Sequence, residues 1–207
     1  MKHPFIPILS AFFLSAILQA CTPKKPEKRN YLPQEELLEE GDLVFRRGSG
    51  MASRMVLIAD SKGAYSHIGI IVREGKGWKV IHAVPGEPDF EGDPDRVKME
   101  SAEQFFAEEK AVCGAIMRVK GDSIQKQHAA EKARQIFRRG TLFDHDYDCG
   151  DTTRMYCTEL IDFVYRQTGI DLTEGRISRI NLPGISGNYV LPSDIQQSQY
   201  LELIYRF

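Results

Sequence analysis

A thiol and an imidazole stand in this sequence where they can work as nucleophile and base. Cys157 lies in Met155-Tyr156-Cys157-Thr158-Glu159-Leu160-Ile161, and His67, 90 residues earlier, opens the apolar run Ile68-Gly69-Ile70-Ile71-Val72. From Cys157, the residues Leu160, Ile161 and Val164 follow at i+3, i+4 and i+7, the spacing of one helical face. Cys157 therefore opens a helix, and its sulfur points with the buried stripe. Unpaired N–H groups at a helix N-terminus put partial positive charge beside such a sulfur and favour the thiolate, its reactive form. The competing reading is a plain core cysteine, the commoner fate of this residue type.

His67, Gly69 and Ile71 share one face of a period-two strand, and Trp78, Val80 and His82 share one face of a second, from Trp78 to Val84. Between them Arg73-Glu74-Gly75-Lys76-Gly77 suits a hairpin turn. A turn centred on Glu74-Gly75 sets His67 directly opposite His82, with Cβ atoms about 4.5 to 5.5 Å apart. A base with its own orienting partner follows the logic of a triad, in which a third group fixes the tautomer of the histidine that activates the nucleophile. Cross-strand packing is the alternative role for His82.

Gly41-Asp42-Leu43-Val44-Phe45, then Ser66-His67-Ile68-Gly69-Ile70, then a polar residue on the next strand, then Tyr156-Cys157-Thr158-Glu159-Leu160, in that order, resemble the permuted papain-like hydrolases of the NlpC-type superfamily, YiiX/YebB-like. The resemblance covers nearly everything from Gly41 onward. It implies an α+β, circularly permuted papain-like fold: an antiparallel sheet with the nucleophile helix packed on it. It also implies that Cys157 is the nucleophile, His67 the general base and His82 the third polar residue, and that amide cleavage runs through an acyl-enzyme with no cofactor or metal. The third position departs from the glutamate commonest in the family and is similar to that of lecithin retinol acyltransferase-like relatives. Acyl hydrolysis or transfer on a lipid is therefore a second reading, and a catalytically idle envelope-binding lipoprotein a third.

The N-terminus reads as a targeting segment. Lys2 and His3 precede an apolar stretch from Phe5 to Leu18, and Leu18-Gln19-Ala20-Cys21 resembles a bacterial lipoprotein processing site. The expected layout is a signal peptide over residues 1–20, lipid attachment at Cys21, a tether over 21–30 and one hydrolase domain over 31–207. The stretch is short for a transmembrane helix, which needs about 20 residues, and Pro4 and Pro7 weaken it further. The expected location is the bacterial cell envelope, on the periplasmic or surface side of a membrane, with a peptide- or lipid-like substrate. A net charge of −2 with interspersed signs argues against nucleic acid as a partner, and the glycine-rich phosphate loops and the G-x-S-x-G elbow are missing.

The remaining chemistry-bearing residues read more plainly. Cys113, in an apolar run from Ala111 to Val119, is expected to be a small core hydrophobe. A disulfide between Cys113 and Cys149 is open, as is a metal role for His145 and Cys149 among the acids of residues 144–151. The acidic loop from Pro85 to Asp95 reads as either a solvated run or a selector of cationic substrate. Helices are expected at Glu35 to Glu40, within Gly48 to Ala64, at Ser101 to Glu108, at Ser123 to Arg139 and from Pro192. Strands are expected at Asp42 to Arg46 and Tyr200 to Phe207 beside those named, with a loop from Gly169 through Tyr189.

Overall fold

The computed structural model describes residues 32, 35–147, 150–182 and 185–207. The signal segment 1–20, Cys21, the tether 21–30 and Cys149 lie outside the described residues.

One eight-stranded sheet forms the frame. Its strands are β1 (Leu43–Arg47), β2 (His67–Glu74), β3 (Gly77–Val84), β4 (Arg96–Ser101), β5 (Cys113–Val119), β6 (Leu142–Phe143), β7 (Arg154–Met155) and a last strand, Leu201–Arg206. A two-stranded hairpin, β8 (Ser178–Leu182) with β9 (Ile185–Tyr189), stands apart, so the last strand is β10. The order across the sheet is β10-β5-β1-β2-β3-β4-β6-β7, and every pairing is antiparallel except β6 with β7. The helices are α1 (Met51–Ala59), α2 (Ala102–Phe105), α3 (Ser123–Arg138), α4 (Cys157–Arg166) and α5 (Pro192–Gln196). No described helix is long and apolar enough to cross a membrane.

Alternation along the strands separates two faces. Leu43, Phe45, Ile68, Ile70, Val72 and Ile81 point to the face covered by α3 and α4, where Ala129, Ala130, Ala133, Leu160, Ile161 and Val164 complete the larger core. Each large side chain buried there stabilises the fold by roughly 1.5 to 3 kcal/mol. The expected stripe of α4 is thus the face that packs. Val44, Ile71, Val80 and Ile116 point the other way, onto Phe105 and Phe106.

The Gly41-Asp42 pair is structural. Gly41 has φ +85°, and a Cβ there would lie 2.9 Å from Lys126 Cβ. The Tyr165 hydroxyl of α4 donates to its carbonyl, and the buried Asp42 carboxylate takes two bonds of 2.9 Å from Arg118. Together these fix α4 and β5 to the start of β1.

Several expectations change. Residues 35–40 form only a 3-10 turn at Glu35–Leu37, the helix at 101–108 shrinks to Ala102–Phe105, and the N-cap of α3 is Asp122, whose side chain accepts the Gln125 N–H. Residues 96–101, expected in no strand, form β4, and the supposed loop before Tyr189 holds the β8–β9 hairpin.

Candidate active site

The β2–β3 turn falls one residue later than expected. Glu74 pairs with Gly77 and Ile70 with Ile81, so paired numbers sum to 151 and His67 does not directly oppose His82. Gly75, at φ +59°, takes the first turn position, where a left-handed conformation suits a glycine. The slip amounts to two positions across the pair, and a period-two strand therefore keeps both histidines on one face, as diagonal neighbours. The residue opposite His82 is Gly69. A Cβ there would lie 3.2 Å from His82 Cβ and 2.5 Å from Val80 Cγ1. The missing side chain leaves the space across which His67 Nε2 reaches His82 Nδ1 at 2.8 Å.

The next strand adds a residue that the sequence reading missed. Glu100 of β4 places Oε1 3.1 Å from His82 Nε2. The approach is off-line, so the contact is more an electrostatic pairing than a linear hydrogen bond. Lys110 Nζ lies 2.6 Å from the other oxygen, and Arg46 Nη1 lies 3.7 Å from Oε1. Arg46, paired in register with His67, is buried over the Phe105 ring and bound to Glu87. Phe105 also meets both imidazoles, with ring centroids 5.7 and 5.2 Å away. Alternation along β1 and β4 was the available signal: Arg46 shares a face with Val44, and Glu100 with Lys98.

Proton inventory fixes the tautomers. A carboxylate only accepts, so Glu100 favours the proton of neutral His82 on Nε2 and leaves Nδ1 as an acceptor. His67 Nε2 must then carry the proton, and the lone pair of Nδ1 is free to act as base. These tautomers follow from the network.

Cys157 enters from the other side. Helix α4 packs on the face opposite the imidazoles, and its first turn reaches the start of β2, beyond the last β2–β3 pair at Ile70–Ile81. There the backbone N–H groups of Ile68, the residue after His67, and of Thr158 and Cys157 itself act on the sulfur in the direction that favours its thiolate. Tyr156, buried, accepts the Val190 N–H on its hydroxyl, and Thr158 donates to the Val190 carbonyl at 2.6 Å. The Glu159 carboxylate accepts the Tyr156 N–H. In the Tyr-Cys-Thr-Glu-Leu run, Cys157 thus offers the reactive group while its neighbours cap and seat the helix.

Burial dominates the electrostatics. It pushes the Cys157 thiol up to about 11, against the lowering by those N–H donors and by the Arg46 charge. Helix-end assistance is present but outweighed, so the group rests as a protonated thiol at neutral pH. Cys157 retains some accessible surface, as the floor of a crevice would. Burial, then the charges of Arg46 and His82, hold His67 well below the usual imidazole value. Burial also lowers His82, while Glu100 pulls it back up. Burial acts to raise Glu100, but bonds and charge from His82 and Lys110 hold it at about 2. The resting arrangement is a thiol, two neutral imidazoles and a carboxylate.

Three of the acids of residues 85–95 are spent internally. Glu87 pairs with Arg46 and Lys110, Asp89 with Arg96 and Lys98, and Asp93 with Arg96, which straps the loop to β4 rather than exposing a cation selector. His145 is exposed beside Asp95, and among the described residues no cluster of three or more His, Cys, Asp or Glu is placed to hold a metal. Cys113 is a free, partly buried thiol at the edge of the larger core.

The fold and the Cys-His-His arrangement define a permuted papain-like protein. Residues 37–205 match the family of permuted papain-like amidases, YaeF/YiiX, C92, and the chain belongs to that family. A solved structure, the metalloprotein YiiX from Escherichia coli O157:H7, superposes with a TM-score of 0.65 at 20% identity, covering 82% of this chain and 97% of that one. No curated protein sequence matches the chain.

Proposed function

We propose that this chain is a cell-envelope thiol amidase that cleaves its substrate through an acyl-enzyme on Cys157. The observation that carries the reading is the relay from His67 to His82 at 2.8 Å and on to Glu100 at 3.1 Å, with the Cys157 sulfur under the influence of the Ile68 N–H, next to His67 in the chain. His67 Nδ1 takes the thiol proton as sulfur attacks the amide carbon. Backbone N–H groups at the start of α4, including that of Cys157, face the developing oxyanion. The imidazolium then gives its proton to the leaving amine, and water attacks the thioester with His67 again as base. His82 and Glu100 act through His67, by holding its proton on Nε2.

Family membership supports the amidase chemistry. The envelope location rests on the sequence around Cys21, where a lipid carrying two or more acyl chains would hold stably. The test is Cys157→Ala, which removes the nucleophile and little volume. Turnover is expected to vanish with folding unchanged, and the wild-type protein is expected to show a substrate-derived acyl adduct on Cys157 by mass spectrometry. Full activity in the variant would reject the mechanism.

A further inference from the structure

Helix α1 buries none of its residues. Met51, Met55 and Ile58, at i, i+4 and i+7, are 82%, 44% and 60% exposed along one face. Apolar residues exposed singly need no account, but three aligned on one short helix do. The helix is nonetheless pinned at both ends. Ser53 Oγ donates to the Gly48 carbonyl at 2.8 Å and meets Ser66 Oγ, and Asp60, after the last turn, accepts the Ser193 N–H at 2.9 Å. The apolar face is therefore presented on a fixed support.

Along the segment from Arg47 to Lys62 the exposed charge has one sign. Arg47, Arg54 and Lys62 are exposed and form no ion pair among the described residues. The one carboxylate between residues 47 and 62 is Asp60, which is buried and held by Ser193. Elsewhere Arg96, Arg118, Arg134 and Arg166 each face an acid.

We propose that the exposed face of α1 docks on an anionic membrane surface. An amphipathic helix with apolar residues on one side and unpaired cations beside them fits the boundary between headgroups and acyl chains, and each cation adds attraction to anionic lipid. A surface this small binds reversibly and is weakened by salt, because the charge contribution is screened over about 8 to 10 Å. Its role is orientation. Ser66, which Ser53 contacts, precedes His67, so docking ties the placement of the histidine strand to the bilayer. The proposal is independent of both lipidation at Cys21 and the amidase reading.

The test is co-sedimentation of residues 21–207 carrying Cys21→Ser, which contain every described element and no lipid. Vesicles of phosphatidylcholine alone are compared with vesicles that also contain phosphatidylglycerol, at low and high salt. Binding is expected on the anionic vesicles and is expected to fall with salt. The double variant Met55→Glu/Ile58→Glu is expected to lower partitioning by roughly tenfold or more, since it removes the apolar contribution. Arg54→Glu/Lys62→Glu is expected to weaken the preference for anionic lipid to what the tether alone supplies. Ile124→Glu, at a comparably exposed site on α3 (61%), is expected to bind like the parent. The basic residues of the tether contribute equally to every protein compared. Absence of binding to anionic vesicles, or unchanged binding by both double variants, would overturn the proposal.

Discussion

Glu100→Gln isolates the far end of the relay. The change keeps the shape and an acceptor oxygen but removes the charge that favours the His82 proton on Nε2. Without it, the alternative His82 tautomer donates from Nδ1 toward His67 Nε2 and drives the His67 proton onto Nδ1, where it blocks the base. A hydrogen bond to a charged group is worth about 1.5 to 3 kcal/mol. The contact is 3.1 Å and off-line, so the lower part of that range applies, about 1.5 to 2 kcal/mol, or roughly 10- to 30-fold in kcat/KM. The pH profile separates this from simple damage. Of the two imidazoles, His82 is the less strongly depressed and is protonated first as pH falls, and Glu100 is what holds its value up. Removing the carboxylate lowers His82 further, so the acidic limb is expected to move to lower pH while the plateau drops. The assay is kcat/KM against pH for the two proteins, with thermal unfolding as a control for fold. A variant with wild-type rates and an unmoved acidic limb would refute the argument that Glu100 reaches the base through His82.

Gly69→Ala should cost about 1 to 3 kcal/mol, because its Cβ meets Val80 and the Ile81 carbonyl at 2.5 and 3.1 Å; urea unfolding measures this, and activity should fall as His82 is displaced. Both imidazoles are depressed in the fold, so the unfolded chain binds more protons below its own value, near 6.5. Their contribution is complete above that pH and should be lost below it at up to about 1.4 kcal/mol per pH unit for each histidine, read from denaturant midpoints at stepped pH and flattened in His82→Gln. Cys21→Ser should move the protein from the membrane fraction to the supernatant under a high-salt wash, and retention there would contradict lipid attachment at Cys21.

The thiol, the two histidines and the α4 stripe were legible because each sits in a strongly periodic run, where one face must be apolar. The β2–β3 register was less so. One residue of turn placement moved His67 from directly opposite His82 to a diagonal position, and only the evenness of the slip kept the two on one face. Strand β4 escaped notice because its inward face carries Lys98 and Glu100, buried through pairing with Asp89, Lys110 and His82. Charges compensated by distant segments look like solvated loop when the partners are not yet known. Val97 and Met99 alternate on the other side and were the remaining cue. How far burial outweighs the helix end at the thiol was not legible for a related reason: spacing revealed the helix end, but desolvation is a property of the assembled fold. The acids of residues 85–95 likewise gave no sign that the cations they neutralise lie on β1, β4 and the segment before β5.

The proposed mechanism requires that His67 rest as a neutral base with its proton on Nε2, set there by His82 and Glu100. Nitrogen-15 NMR of the imidazoles in labelled protein reads this directly, with His67→Gln identifying the resonances. At pH 7 a protonated Nε2 and a bare Nδ1 are expected for His67, with a shift toward the opposite tautomer in Glu100→Gln. An imidazolium at His67, or a proton resting on Nδ1 in the wild-type protein, would contradict it.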